Sequence, residues 1–175
     1  GIKSLIREIN KNKKSLHDVL YHRAELEGFE FEVAIQYNDG IAENVASYVN
    51  VINTREGGTH LTGFRTALTR SVNAYAKSEI AAMKGGALSG DDTREGLTAV
   101  VYVKMPSTFL QFEGQTKSKL GNPEVLGLVQ SEMNKFLDQT FEENPGIAKS
   151  IVGKILLAQR ARLAALAAKD AVIRK

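Results

Sequence analysis

There is no cysteine or tryptophan in this chain of 175 residues, and proline and histidine occur three times each. Without cysteine, disulfides, thiol nucleophiles and thiolate metal sites are excluded. His17, His22 and His60 are not at metal-ligand spacing, so no metal site is expected. No stretch comes near the roughly 18 uncharged apolar residues that cross a bilayer. Neither G-x-x-x-x-G-K-[ST] nor G-x-G-x-x-G occurs, which removes two common phosphate-binding loops. The chain opens on Gly1 without methionine and shows no charged-then-apolar leader. The expectation is a trimmed or internal piece of a cytoplasmic protein.

What is present fits a globular domain: 43% apolar and 25% charged residues. The length suits one domain, or a core with an appendage. The net charge of +3 is unevenly spread. From Lys154 onward there are six cations against Asp170 alone, whereas residues 1–153 carry 17 cations and 19 anions. A basic tail on a faintly acidic body suits a polyanionic partner, and equally a solvated arm whose cations favour the helix C-terminus.

Residues 4–13 read as a short helix. Phe29, Phe31, Val33, Ile35 and Tyr37 alternate with polar residues and predict a strand with one buried face. Asn38-Asp39-Gly40 is a turn signal, and residues 45–54 form a second β-branched run, so the two strands are expected to pair as a hairpin. After Glu56-Gly57-Gly58-Thr59-His60, the spacing of Leu61, Phe64, Leu68, Val72 and Tyr75 places all five on one helical face, with Arg70 and Lys77 opposite. Gly85, Gly86 and Gly90 end that helix. Leu97 to Met105 alternates as a third strand, stopped by Pro106. A polar loop over residues 114–121 precedes a helix from about Pro123 to Glu142. Asn144 then reads as an N-cap with Pro145 at the first helical position of a last helix. If it runs to about residue 173, it spans about 43 Å. The expected architecture is α+β: three or four strands in a mixed sheet with helices on one face, a body over 1–144 and an emergent helix over 145–175.

Two segments offer chemistry. Glu56–His60 sets glycines and a threonine before a helix, whose N-terminal amides favour anions; a plain cap with a flexible approach is the other reading. Gln115-Thr116-Lys117-Ser118-Lys119 presents an amide, hydroxyls and ammonium groups that suit a phosphate, or simply water. Asp91-Asp92 reads as a solvated turn rather than a carboxylate site.

Taken in order, Ile52–His60, Gly63-Phe64-Arg65, Ala67-Leu68-Thr69-Arg70, Asn73-Ala74-Tyr75, Asp91–Leu97, Phe112–Asn122 and Val152-Gly153-Lys154-Ile155 resemble the second domain of the ATPase subunit of bacterial-type type IIA DNA topoisomerases. These are the B subunit of gyrase and the E subunit of topoisomerase IV. The resemblance spans essentially the whole chain. It implies a transducer domain with the fold of a ribosomal protein's second domain and a left-handed β-α-β crossover, against the usual right-handed rule. It implies ATP and Mg²⁺ bound mainly by an N-terminal nucleotide-binding domain, whose Asp-x-Gly-x-Gly signature is missing here. In the family, the lysine and glutamine of a Gln-Thr-Lys motif reach the γ-phosphate. That maps onto Gln115, Thr116 and Lys117, with Lys117 the catalytic contact. A rotation after phosphate loss would then reach the DNA-cleaving partner subunit along the last helix. In the homodimer of the ATPase subunit, Arg70 and Lys77 would face double-stranded DNA. The resemblance also implies that this chain alone hydrolyses no ATP. Two other readings stay open: an independent nucleic-acid-binding domain of the same fold, and the corresponding domain of a mismatch-repair or chaperone ATPase.

Overall fold

The computed structural model describes residues 1–26, 28–79, 86–115 and 117–173. In chain order these form α1 (Ile2–Asn10), β1 (Leu20–Leu26), β2 (Phe29–Tyr37), β3 (Asn44–Val49), β4 (Ile52–Asn53), β5 (Gly57–Gly58), α2 (Thr59–Glu79), α3 (Gly90–Arg94), β6 (Leu97–Lys104), β7 (Lys119–Leu120), α4 (Pro123–Glu143) and α5 (Pro145–Ile173). The main sheet has the order β1-β2-β6-β3-β4, and β5 pairs with β7 in a separate ribbon. The β1-β2-β6 pairings and β3-β4 are antiparallel, while β6 and β3 run parallel. The class is α+β with a mixed sheet and a long C-terminal helix, as expected. Adjacent parallel strands β3 and β6 are joined by a crossover that carries α2 and α3.

The expected hairpin is absent. β2 and β3 do not pair, because β6 lies between them. The reason is burial: Val33 through Asn38 is buried at every position, which a strand at the centre of a sheet requires and an edge hairpin does not. The turn at Asn38–Gly40 packs instead on the start of β6. Asn38 N donates to Gly96 O at 2.9 Å. A side chain on Gly96 (φ +74°) would sit 2.5 Å from Asn38 O and 2.8 Å from Gly40 O. The hairpin partner of β2 is β1, an edge strand whose polar residues (Tyr21, Arg23 and Glu25 face solvent) hide its periodicity.

Alternation sorts the sheet faces. Phe31, Val33, Ile35, Ala99, Val101 and Val103 face the main core. There they meet Phe64, Leu68 and Val72 of α2, Val129, Met133 and Leu137 of α4, and Ile151 and Ile155 of α5. Each such side chain contributes roughly 1.5–3 kcal/mol on burial. Ala34 and Val100 point the other way and are covered by Ile6 of α1. Thus the three long helices share one face, and the short N-terminal helix seals the opposite one.

Helix α5 divides in two. Ala148, Ile151, Val152, Ile155, Ala158 and Gln159 are buried, whereas residues 164–173 are exposed. Its last anchor is Arg162, whose Nε and Nη2 donate to the Asp92 carboxylate at 3.0 and 3.1 Å. Asn144 does not cap α5 with its side chain; Nδ2 donates back to Thr140 O at 3.1 Å and closes α4.

The α2–α4 crossing depends on Gly63. A methyl group there would lie 2.7 Å from Leu126 O and 3.3 Å from Val129 Cβ. Gly63→Ala should therefore destabilise the chain by about 1–3 kcal/mol, as overpacking does. The check is a thermal melt, with Gly127→Ala as the control, since nothing lies within 4 Å of a methyl group at that position.

Candidate functional site

The loop bearing Gln115 and Lys117 stands on a bracket of backbone. β5 and β7 pair in parallel, Gly57 beside Lys119 and Gly58 beside Leu120. Glu113 N donates to Lys119 O at 2.9 Å, and Gly121 N to Gln111 O at 2.7 Å, which closes the neck of the loop. Glu56 N donates to Ser118 O at 2.9 Å, and Ser118 Oγ returns a bond to the Glu56 carboxylate at 2.8 Å. Both polar segments singled out in the sequence thus form one structure, and α2 starts directly from it.

Gly58 makes this possible. Its φ is +133°, and a Cβ there would fall 2.3 Å from Leu120 O and 2.5 Å from Leu120 N. Only glycine lets these two backbones meet. Beneath them lies His60, fully buried. Its Nε2 is 3.0 Å from Thr54 Oγ1, and that hydroxyl donates to Ser47 O at 2.9 Å. The network therefore assigns the ring proton to Nε2 and leaves Nδ1 as a buried acceptor with no partner. Burial holds the ring neutral and pushes its pKa down to about 4.

Gln115 and Lys117 are exposed, and among the described residues neither has an ion pair or hydrogen bond. Lys119 differs, with its ammonium 3.2 Å from Glu113 Oε2. Thr116, the third residue of the expected motif, lies outside the described residues. An ammonium and an amide without partners among the described residues can bind an anion such as a phosphate oxygen. A cation site is another matter: no group of three or more His, Cys, Asp or Glu residues converges among the described residues.

Arg70 and Lys77 lie exposed on α2, about 16 and 27 Å along its axis from Thr59. They are separate from the loop. Arg70 borders a groove of about 580 Å³ between α2 and α4, together with Gln130, Asn134, Lys135 and Asp138. Asp91 and Asp92 part company. Asp91 is in solvent, but Asp92 is 3% exposed, so the solvated reading fails for it. Burial pushes its carboxyl up, and hydrogen bonds from Arg162 and Ser89 outweigh this and hold it below the usual carboxylate range. The partner that settles Asp92 lies 70 positions away in sequence, where no local pattern reveals it.

The DNA gyrase B family model matches residues 1–171. Over its full length the chain is 50% identical to the gyrase B protein of Haloferax lucentense, and 49% identical to that of Chlamydia muridarum. It spans 28% and 22% of those two relatives. Among solved structures, the 43K ATPase domain of Thermus thermophilus gyrase B in complex with an aminocoumarin superposes with a TM-score of 0.87 at 38% identity. That match covers 97% of this chain and 46% of the other. The topoisomerase IV ATP-binding domain of Francisella tularensis gives a TM-score of 0.79 at 25% identity, over 93% and 43%.

Two outcomes follow from the bracket. Gly58→Ala should separate β5 from β7 and lower stability by roughly 1–3 kcal/mol, and hydrogen exchange should quicken at Glu56, Glu113 and Gly121 before it does in the main sheet. The pH dependence comes from the buried ring. His60 binds a proton in the unfolded chain at about 6.5 but in the fold only at about 4. Its share of stability is complete above about pH 6.5 and is lost as pH falls toward 4, a loss of about 3 kcal/mol. His17, whose pKa burial also lowers, adds to the same decline. Thermal melts between pH 7.5 and 4.5 should fall accordingly, and His60→Gln should flatten the curve.

Proposed function

The chain belongs to the DNA gyrase B family, and from that premise we propose that it is the transducer segment of an ATP-hydrolysing type II topoisomerase subunit. In this reading Lys117 and Gln115 reach into a neighbouring nucleotide-binding domain and contact the γ-phosphate of ATP. The observation that carries it is the uncommitted pair of polar side chains on a fixed neck. A cation at the terminal phosphate distinguishes ATP from ADP by one anionic group. The adenine pocket, the magnesium site and the general base are assigned to the neighbouring domain, and this chain alone is proposed to be inactive.

The likeness to the Thermus thermophilus ATPase domain supports the arrangement, since this chain covers 46% of that structure and leaves room beside it for a nucleotide-binding half. The bracket supplies the relay. Ser118 is tied to Glu56, and Glu56 adjoins the two glycines that lead into α2. A pull on Lys117 therefore bears on α2, against which α4 packs, and on through the core to α5. Rotation of this body after phosphate loss would carry α5 with it, a rigid-body switch. The DNA-cleaving partner subunit and a transported duplex facing Arg70 and Lys77 complete the proposal.

The attraction of the Lys117 ammonium should grow as charge develops on the transferring phosphoryl group. In the intact subunit, Lys117→Ala should lower steady-state ATP hydrolysis by roughly 10²-fold, the scale of losing one preorganised donor. Lys119→Ala should change it little, since that side chain is committed to Glu113. Thermal melts of both variants should match the parent. Near-normal turnover for Lys117→Ala would return the loop to ordinary solvated surface.

A further inference from the structure

The polar loop is fastened at three levels, and they differ in what they hold. Deepest is Asn122, which is fully buried. Its Oδ1 accepts from Gln111 N at 2.6 Å, and its Nδ2 donates to Phe109 O at 2.6 Å and to Glu124 Oε1 at 2.7 Å. Above it the neck closes through the backbone bonds of Glu113 and Gly121. The Lys119 ammonium braces this level from outside by its pairing with Glu113. The third fastening is at Ser118, which meets Glu56 twice.

Between Glu113 and Ser118 lies the tip. Its described residues, Gly114, Gln115 and Lys117, have no hydrogen bond or ion pair. Gly114 has a φ of +78°, and nothing lies within 4 Å of a methyl group placed there. The tip therefore takes its direction from its two flanks, and the flank beside Lys117 is Ser118. One main-chain bond, from Glu56 N to Ser118 O at 2.9 Å, acts as a pivot. The second, from Ser118 Oγ to Glu56 Oε2 at 2.8 Å, removes that pivot. A pull on α2 needs only the first bond, whereas the second fixes an angle. Glu56 itself is exposed and has no ion pair among the described residues, so its carboxylate is engaged by a hydroxyl rather than by a cation. Water competes for both partners of such a bond, and its contribution to stability is small.

We propose that Glu56 is a positioning residue for the phosphate contact: its carboxylate grips Ser118 and thereby aims the Lys117 ammonium at the terminal phosphate of ATP. The inference rests on the reading of Lys117 given above and adds a residue to it. Glu56 does not touch the nucleotide. It narrows the arc through which the tip can swing, so that the ammonium is in place before charge develops on the phosphoryl group. A misplacement of about 1 Å is enough to cost up to about 10²-fold in rate. The acceptor oxygen matters and the charge does not, so an amide at position 56 serves in the same way.

The test is steady-state ATP hydrolysis by the intact parent subunit, with kcat and KM read separately. Glu56→Ala should lower kcat by roughly 10-fold and leave KM for ATP within about twofold, the mark of an interaction made in the transition state. Glu56→Gln, which still accepts a hydrogen bond from Ser118, should restore most of the lost turnover. Thermal melts of both variants should match the parent. In a Lys117→Ala background, Glu56→Ala should cause no further loss, because the two residues act as one unit. Additive losses, or a Glu56→Gln variant as slow as Glu56→Ala, overturn the proposal. If Glu56→Ala does not fold, Ser118→Ala, which removes the donor, must show the same fall in kcat or the proposal fails. The two readings separate cleanly. Slow turnover by Lys117→Ala alongside normal turnover by Glu56→Ala rejects the positioning role and keeps the phosphate contact. Normal turnover by both variants rejects both.

Discussion

The contact between Gly58 and Leu120 governs how this molecule is put together where the loop of Gln115 and Lys117 meets the start of α2. Two stretches of backbone more than sixty positions apart approach so closely that no side chain fits between them. Hydrogen bonds on both flanks then lock Glu56 to Ser118 and Gln111 to Gly121. Everything outward of that contact, including Gln115 and Lys117, inherits its position from it. Everything inward, beginning with Thr59 and His60, is the start of α2. The cost is a pair of glycines with positive φ, Gly57 and Gly58, where ordinary residues would be strained. Such strain persists only where the surroundings over-determine it, and here a buried histidine and a closed loop neck both do so.

Electrostatics is arranged differently at the two ends of the fold. Asp92 is buried and accepts two hydrogen bonds from Arg162, whose side chain is 35% exposed, with Ser89 completing the capping of α3. Removing Arg162 would strand the buried Asp92 carboxylate, so the pair fixes where α5 leaves the body. Glu43, Arg65 and Arg94 are half-exposed and incompletely satisfied. The first of these arrangements suits a joint.

How much of this the sequence shows depends on the range over which each interaction acts. Helix α2 was legible because Phe64, Leu68 and Val72 repeat with the helical period and their partners are all on one side. β2 was legible as a strand and illegible as to its neighbour. Its burial on both faces comes from α1, 20 or more positions upstream, and from the long helices downstream, while its neighbour β6 lies 60 positions on. β1 escaped because His22 and Arg23 break its apolar pattern. His22 is half-buried by stacking on Phe136 of α4, a contact that local sequence does not announce. Asp91 and Asp92 look identical in sequence and differ only because Arg162 reaches one of them. The roles proposed for Gln115 and Lys117 rest on resemblance, since a polar loop between glycines has the composition of any solvated turn.

The outer half of α5 has a thermodynamic character of its own. Forming a helix from coil is opposed mainly at its first turn, and the packed residues Ala148 to Gln159 have already formed that nucleus in the core. Beyond Arg162 the chain needs only to propagate, which its run of alanines does better than any other residue. Its helicity is therefore intrinsic and asks for no neighbour to enforce it. Because propagation weakens on warming while the nucleus stays in the core, the part of α5 beyond Arg162 loses helix before the packed part does as temperature rises.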